Sequence, residues 1–273
     1  MDIPLESVLL QYTENVRVDL SDRWNSWPLD LSQNEVHEVV GALLARQVTL
    51  ATNFAKSPGV WNAHIAPIFL RCMAAVYISL NWILQDPLLR SKKYILYGLG
   101  QAKLQIEHRK AEAEQSGKDP KDDPMIEILE GWVNSQRYLF LTEVEIGSWS
   151  GLSTREMAEE ASCLDYYRYV YMPFSASVHS TWHHIGRLNL TTCLSPLHRA
   201  HHIPVDPKTD VDLYYLYLMA KYLDKTFRLF DDFIKPSCDK SVSLEKLTQS
   251  INELKSQYEE DNNGNEMREP DQD

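Results

Sequence analysis

The residues of this sequence that are best suited to acid–base chemistry are concentrated in one window without carboxylates. The forty residues between Asp165 and Asp206 contain no aspartate or glutamate, where an even spread of the chain's 39 acidic residues over 273 positions would place five or six. The window holds three arginines and six of the nine histidines: Arg168, Arg187, Arg199, His179, His183, His184, His198, His201 and His202. Because arginine binds phosphate and histidine exchanges protons near neutral pH, the window suits an anionic ligand, with phosphate as the most general candidate.

The spacing of these residues predicts that several share one side of a helix. Ser175, His179 and His183 follow one another at intervals of four, so on an unbroken helix they lie along one side. Tyr171 is on that side too, and Arg168 has nearly the same azimuth at about 16 Å along the axis from His179. Such a stripe predicts acid–base chemistry on a phosphodiester. The candidate catalytic residues are His179, Arg168 and Ser175, and the candidate substrate-binding residues are Tyr171, His183 and Arg187.

Each of these residues also has an ordinary structural role as its alternative. A helix histidine is often a core or surface residue with one hydrogen bond, and histidines in loops are often only solvated. The Ser175 hydroxyl can donate back to the carbonyl of Tyr171. The tyrosines of the window can be core aromatics, and Trp182 is expected in the core.

Arg71 is a further candidate because it interrupts an apolar segment, Pro67 to Tyr77. A buried guanidinium is costly unless it is paired. Either Arg71 extends to the protein edge or it points into a polar pocket, and the sequence leaves both possibilities open. If it points inward, it supplies a fourth catalytic candidate, a second positive group for the same anion site.

Helices are the elements that would position these residues. The sequence has no alternating strand pattern of useful length. Ser32–Glu35 and Ser153–Glu156 have the pattern of capping boxes, and Asp86-Pro87 and Asp123-Pro124 are helix-start signals. Helices are predicted over about 32–56, 61–85, 86–114, 123–144, 153–190 with a kink at Pro173, 210–234 and 243–258, with a loop at 191–207. The fold class is therefore all-α, an antiparallel bundle of about seven or eight helices.

The charge of the chain is unevenly distributed. The formal net charge is −12, which argues against coating nucleic acid by bulk charge. Half of that charge belongs to the segment 259–273, which has seven acids and one base and is predicted to be a disordered acidic tail. We expect a single helical-bundle domain over residues 1–258, in which residues 1–30 are peripheral.

Several classes of protein are disfavoured by missing patterns. The four cysteines are far apart and form no C-x-x-C pair, so neither a disulfide framework nor a zinc site built from cysteines is expected. No glycine-rich nucleotide-binding motif is present, so a nucleotide cofactor held by such a loop is not expected. For the first of the functions below we expect neither a cofactor nor a bound metal. The start of the chain lacks a basic region followed by an apolar run, and the apolar segment 65–84 contains Arg71 and Asn81. We therefore expect a cytoplasmic protein without a membrane partner.

The segment Tyr166 to His179, with its order of tyrosine, serine and Val-His on a late helix, resembles a bacterial all-helical family of unknown function. That family is similar to HEPN-like (higher-eukaryote/prokaryote nucleotide-binding) domains and is associated with anti-phage defence and toxin loci. Arg71 on an apolar helix adds to the resemblance, which covers about residues 31–234. The resemblance implies a helical bundle, often dimeric, with metal-independent RNA cleavage, and it carries over Arg71, Arg168, Ser175 and His179. The sequence departs from the pattern in that Arg168 precedes His179 by eleven positions and Ala75 stands where a carboxylate is expected.

Three functions remain open at this point. The first is an RNA-cleaving effector of an anti-phage defence or toxin system, acting as a homodimer or with a defence-complex partner. The second is a non-enzymatic helical interaction or sensor subunit of such a complex. The third is a metal-dependent hydrolase, because His179 and His183 have the i, i+4 spacing of metal ligands. Its third ligand would come from Asp206, Asp210 or His202.

Overall fold

The structure is a computed structural model that describes residues 4–136, 148–235 and 242–266, with side chains up to residue 257. Its helices are α1 (Leu5–Ser26), α2 (Asn34–Ala55), α3 (Ala66–Ile83), α4 (Pro87–Gln115), α5 (Pro124–Asn134), α6 (Thr154–Glu160), α7 (Leu164–Tyr166), α8 (Met172–Val178), α9 (Trp182–Leu188), α10 (Leu213–Ile234) and α11 (Val242–Glu266). A π-helical segment, Tyr167–Tyr171, joins α7 to α8. The predicted all-α class is confirmed.

The predicted loop 191–207 contains two short strands that the sequence analysis missed. Strand β1 (Leu190–Thr192) pairs antiparallel with β2 (His202–Pro204), with Thr192 opposite His202. Three-residue strands are too short to show an alternating pattern, so the pairing was not visible in the sequence.

The described chain divides into two compact units. The first consists of Met1–Pro28, Leu43–Tyr77 and Asp165–Asp273. In it α11 packs against α1 and α10, and the apolar face of α10 buries Phe227 and Phe230. Helix α1, which no start signal predicted, buries Tyr12 and Val16 in the same unit. These contacts hold α1, α10 and α11 together in the first unit.

The second unit consists of Leu29–Ala42 and Ile78–Leu164. Helices α4 and α5 pack together in it around Ala102, Ile106, Ile126 and Val133. An ion pair of 2.8 Å between Arg109 Nη1 and Asp123 Oδ2 closes the turn between the two helices.

The helix boundaries in the structure agree with some of the predicted start signals and differ from others. Ser153 and Glu156 form the predicted capping box. The box predicted at Ser32 does not form, because the Asp30 side chain accepts from the Ser32 backbone N–H and caps a 3₁₀ turn that runs directly into α2. Helix α5 begins at the predicted place but ends at Asn134, whereas its predicted end, Val144, lies outside the described residues. The predicted helix 243–258 corresponds to α11. Residues 259–266, predicted to belong to a disordered tail, continue that helix, and residues 267–273 lie outside the described residues.

Helix α3 is the most apolar element in the described part of the chain. By length and composition it could cross a membrane, but 61% of it is buried inside the protein. The core-helix prediction for this segment agrees with that burial.

Candidate functional site

Arg71 and Ser175 form the centre of the candidate site. Arg71 Nε, on α3, donates to Ser175 Oγ on α8 at 2.7 Å. The Arg71 guanidinium carbon also lies 3.1 Å from the ring centroid of Tyr171, so the cation covers the face of a buried tyrosine. Of the two orientations left open by the sequence, Arg71 therefore takes the inward one, in contact with two of the predicted site residues.

The electrostatics of Arg71 are those of a cation without an acidic partner. Among the residues that the structure describes, no carboxylate forms an ion pair with it. Burial lowers the pKa of the Arg71 guanidinium, and the neighbouring Tyr171 raises it in part. An arginine keeps its proton even so, because its ordinary pKa lies far above neutral pH. The site thus holds a half-buried positive charge whose solvation is incomplete.

The local chain path explains how Tyr171 and Ser175 come to face Arg71. Pro173 cannot donate a backbone hydrogen bond, and the chain before it widens into a π-helical turn in which Met172 N–H donates to Tyr167 O. The Ser175 hydroxyl donates to Tyr171 O at 2.9 Å, the structural role foreseen for this serine, while its oxygen accepts from Arg71. The kink predicted at Pro173 is therefore a π turn, and it orients both residues.

The prediction of a helix over 153–190 that is interrupted only at Pro173 is wrong. Helix α8 ends at Val178, and Ser180 has a φ of 46°, in the left-handed region that helices do not use. His179 keeps a helical bond from its N–H to Ser175 O at 3.1 Å, so it lies one turn after Ser175. His183 belongs to the next helix, α9, and both histidines are exposed. The stripe is therefore cut between His179 and His183.

The two predicted site arginines of the window are both exposed. Arg168 is exposed and its Nη1 is 3.8 Å from Asp165 Oδ1, one turn away. Arg187 is exposed in the last turn of α9. No hydrogen bond or ion pair between described residues joins either arginine to Arg71 or Ser175. Trp182, expected in the core, is 73% exposed.

A second histidine group was missed by the sequence analysis. Ser177 Oγ lies 3.0 Å from His184 Nδ1, and the ring of His184 lies 5.6 Å from that of His64, which is distant in sequence. Partial burial lowers the pKa of His184, and the neighbouring His64 and His183 lower it further. His184 is therefore mainly neutral at pH 7 and can accept a proton.

Within the described ranges, one set of side chains has the geometry of a metal site. Cys193, His198 and His201 place their ligand atoms within 4.8 Å of one another. His179 and His183, the ligands predicted from the i, i+4 spacing, are not in this group. The spacing of Cys193, His198 and His201, C-x₄-H-x₂-H, is visible in the sequence but contains a single cysteine, so it lacks the paired-cysteine pattern of common zinc sites.

Fold and site define an all-α protein with an inward-facing arginine on an apolar helix. Residues 37–192, more than half of the chain, match the family model described as "Family of unknown function (DUF5677)". The chain belongs to this family. Neither the curated proteins nor the solved structures contain a match to the chain.

Proposed function

We propose that this protein is a HEPN-like helical effector of a bacterial defence or toxin system that binds RNA and cleaves it without a metal ion. The observation that carries the proposal is the Arg71 guanidinium, held by Ser175 Oγ and the face of Tyr171 without a carboxylate partner among the described residues. The defence setting rests on the resemblance in the segment Tyr166 to His179, and membership of a family of unknown function is compatible with it.

The proposed ligand group is a phosphate of the RNA backbone. A half-buried guanidinium without an acidic neighbour gains more from an anion than a fully solvated one does, because less water must be displaced. The Ser175 bond and the Tyr171 ring fix the guanidinium before the ligand arrives, which reduces the entropy lost on binding. The carboxylate-free window around Ser175 removes the repulsion that a chain of net charge −12 would otherwise exert on a phosphate.

The proposed reaction is an attack by the RNA on its own backbone. His179, one turn after Ser175, takes the proton of a 2′-hydroxyl, and the 2′-oxygen attacks the phosphorus while the bond to the 5′-oxygen breaks. The 5′-oxygen receives a proton from solvent, so the products end in a 2′,3′-cyclic phosphate and a 5′-hydroxyl. Arg71 stabilises the negative charge that develops on the phosphorus oxygens. His184, with its lowered pKa, is the second candidate base.

The test incubates the full chain with labelled single-stranded RNA in EDTA and analyses the product ends. We expect cyclic phosphate ends from the wild type and a loss of at least about 100-fold in cleavage for Arg71→Ala and for one of His179→Ala and His184→Ala. Arg17→Ala, which removes an exposed arginine paired with Glu14, is the matched control. Circular dichroism and thermal unfolding show whether each variant is folded.

The outcomes separate RNA cleavage from RNA binding without cleavage. RNA left intact by a folded wild type overturns the cleavage proposal. If that RNA is still bound through Arg71, the non-enzymatic interaction or sensor subunit replaces it. RNA that is neither bound nor cleaved overturns both. Cleavage that both histidine variants retain overturns the assignment of the base.

A further inference from the structure

We infer that the loop of the β1–β2 hairpin binds a zinc ion through Cys193, His198 and His201. This site lies immediately after the residues that match the family model, and it goes beyond the proposed RNA chemistry, in which no metal takes part. The ligand atoms of the three side chains lie within 4.8 Å of one another in the described structure.

The strand pairing places two of the ligands together. Thr192 lies opposite His202, and the next pair along the hairpin is joined by the bond from Cys193 N–H to His201 O at 2.9 Å. Directly opposed residues of antiparallel strands project on the same face of the sheet. Cys193 and His201 are such a pair. His202, the following residue, projects on the other face because side chains alternate along a strand.

The loop between the strands brings in the third ligand. His198 N–H donates to Ser195 O at 3.1 Å, and His201 N–H donates to His198 O at 3.2 Å. Between the two histidines Ala200 has a φ of 58°, a left-handed conformation that is unfavourable for a residue with a Cβ. This turn reverses the chain so that the His198 and His201 rings lie with their centroids 5.4 Å apart.

The spacing fits tetrahedral zinc. With a zinc–sulfur bond of about 2.3 Å and a zinc–nitrogen bond of about 2.0–2.1 Å, a tetrahedral angle sets the sulfur and nitrogen about 3.5 Å apart. Cys193 Sγ and His198 Nδ1 are 3.6 Å apart. One thiolate and two imidazoles form a donor set that suits zinc, whereas magnesium and calcium take oxygen ligands. With three protein ligands, the fourth position is left to water.

A bound zinc ion would restrict the conformation of the hairpin loop. The loop carries two almost fully exposed leucines, Leu194 and Leu197, so apolar packing of these side chains contributes little to fixing its conformation. An ion coordinated by Cys193, His198 and His201 links both strands and the loop tip, and so restricts the conformations available to the segment between them.

The experiment uses the full chain, purified in zinc-supplemented buffer, gel-filtered and analysed for bound metal by mass spectrometry. Cobalt is then titrated into metal-free protein, because a cysteine thiolate bound to tetrahedral cobalt gives a charge-transfer band in the near ultraviolet. We expect one zinc per chain and one cobalt band. In Cys193→Ser and His198→Ala the affinity for the metal ion should fall by more than roughly 10- to 100-fold. A loss of that size is caused by removing a residue that hydrogen-bonds a metal ligand without binding the metal itself.

His202→Ala is the matched control, since it removes the neighbouring histidine on the opposite face, and it should keep both the zinc and the band. A wild-type measurement needs no variant to fold: zinc should slow alkylation of Cys193, identified by peptide mapping. Protein without zinc, zinc that survives in both variants, or alkylation at an unchanged rate overturns the proposal. Retention of copper or nickel in place of zinc overturns the identity of the ion.

Discussion

Arg71 Nε and Ser175 Oγ are joined by a 2.7 Å hydrogen bond across 104 positions of the sequence. The bond links the apolar helix α3 to the short helix α8 and leaves the guanidinium covering Tyr171. An arginine can make both contacts at once because its guanidinium is planar. A lysine ammonium cannot donate to Ser175 in this geometry and also cover the ring.

The first prediction therefore concerns Arg71→Lys. The charge is kept, but the planar cation is lost, so we expect RNA affinity to fall by about 10-fold or more, with little change in the salt dependence of binding. Fluorescence anisotropy at several salt concentrations measures both. Arg17→Lys should bind like the wild type, and an Arg71→Lys protein with unchanged affinity would contradict a role for the planar guanidinium.

A second prediction concerns the buried ion pair of Arg23 with Asp231. Arg23, 2% exposed, donates from Nε and Nη2 to both carboxylate oxygens of Asp231 at 2.8 Å. Arg23→Met leaves a partly buried carboxylate without its cation and should lower the free energy of unfolding by roughly 2–4 kcal/mol at pH 7. Denaturant unfolding measures the loss. Arg17→Met, at an exposed pair, should cost much less.

The pH dependence of that loss has a definite sign. Burial raises the pKa of Asp231, and Arg23 lowers it in part. Removing Arg23 raises the pKa further, so the folded variant binds a proton more readily than the unfolded chain does. Its stability then falls as the pH rises above about 3.9, and the cost of Arg23→Met should be smaller near pH 4 than at pH 7. The double variant with Asp231→Asn should show no such difference.

The third prediction concerns the start of α11, which is capped by a residue of α1. Asp19, 5% exposed, accepts from the backbone N–H of Val242 at 3.3 Å and of Ser243 at 3.1 Å. Asp19→Ala leaves these donors without their acceptor and should lower the free energy of unfolding by about 1–3 kcal/mol. Asp22→Ala, on the exposed side of the same helix, is the control and should change it by less than about 0.5 kcal/mol. Equal effects of the two variants in denaturant unfolding would refute the capping role.

A fourth prediction concerns the histidine pair. Partial burial, His64 and His183 all lower the pKa of His184. His64→Gln removes one source of repulsion, so the pKa of His184 should rise, as followed by proton NMR of the imidazole signals. His108→Gln, on α4, should leave it unchanged. Since the folded pKa lies below the ordinary value, the unfolded chain binds this proton more readily, and stability should decline as the pH falls through about 6.5.

Local signals in the sequence determined the helical class and several helix starts. Ser153 with Glu156, and Asp123 before Pro124, each satisfy backbone donors within one turn, so they act wherever the segment is placed. The apolar character of α3 and the lack of carboxylates around Ser175 are likewise visible without a structure. These features depend on residues a few positions apart, so they can be inferred from the sequence alone.

Tertiary structure decided what the functional groups contact. The sequence predicted Ser175, His179 and His183 on one helix, but the left-handed Ser180 ends that helix before His183. The contact of Arg71 with Ser175 and the pairing of Cys193 with His201 could not be predicted from the sequence. Such pairs form only when separate segments pack or strands align. The free energy of those contacts comes from packing and pairing of whole elements, so no spacing along the chain could reveal them.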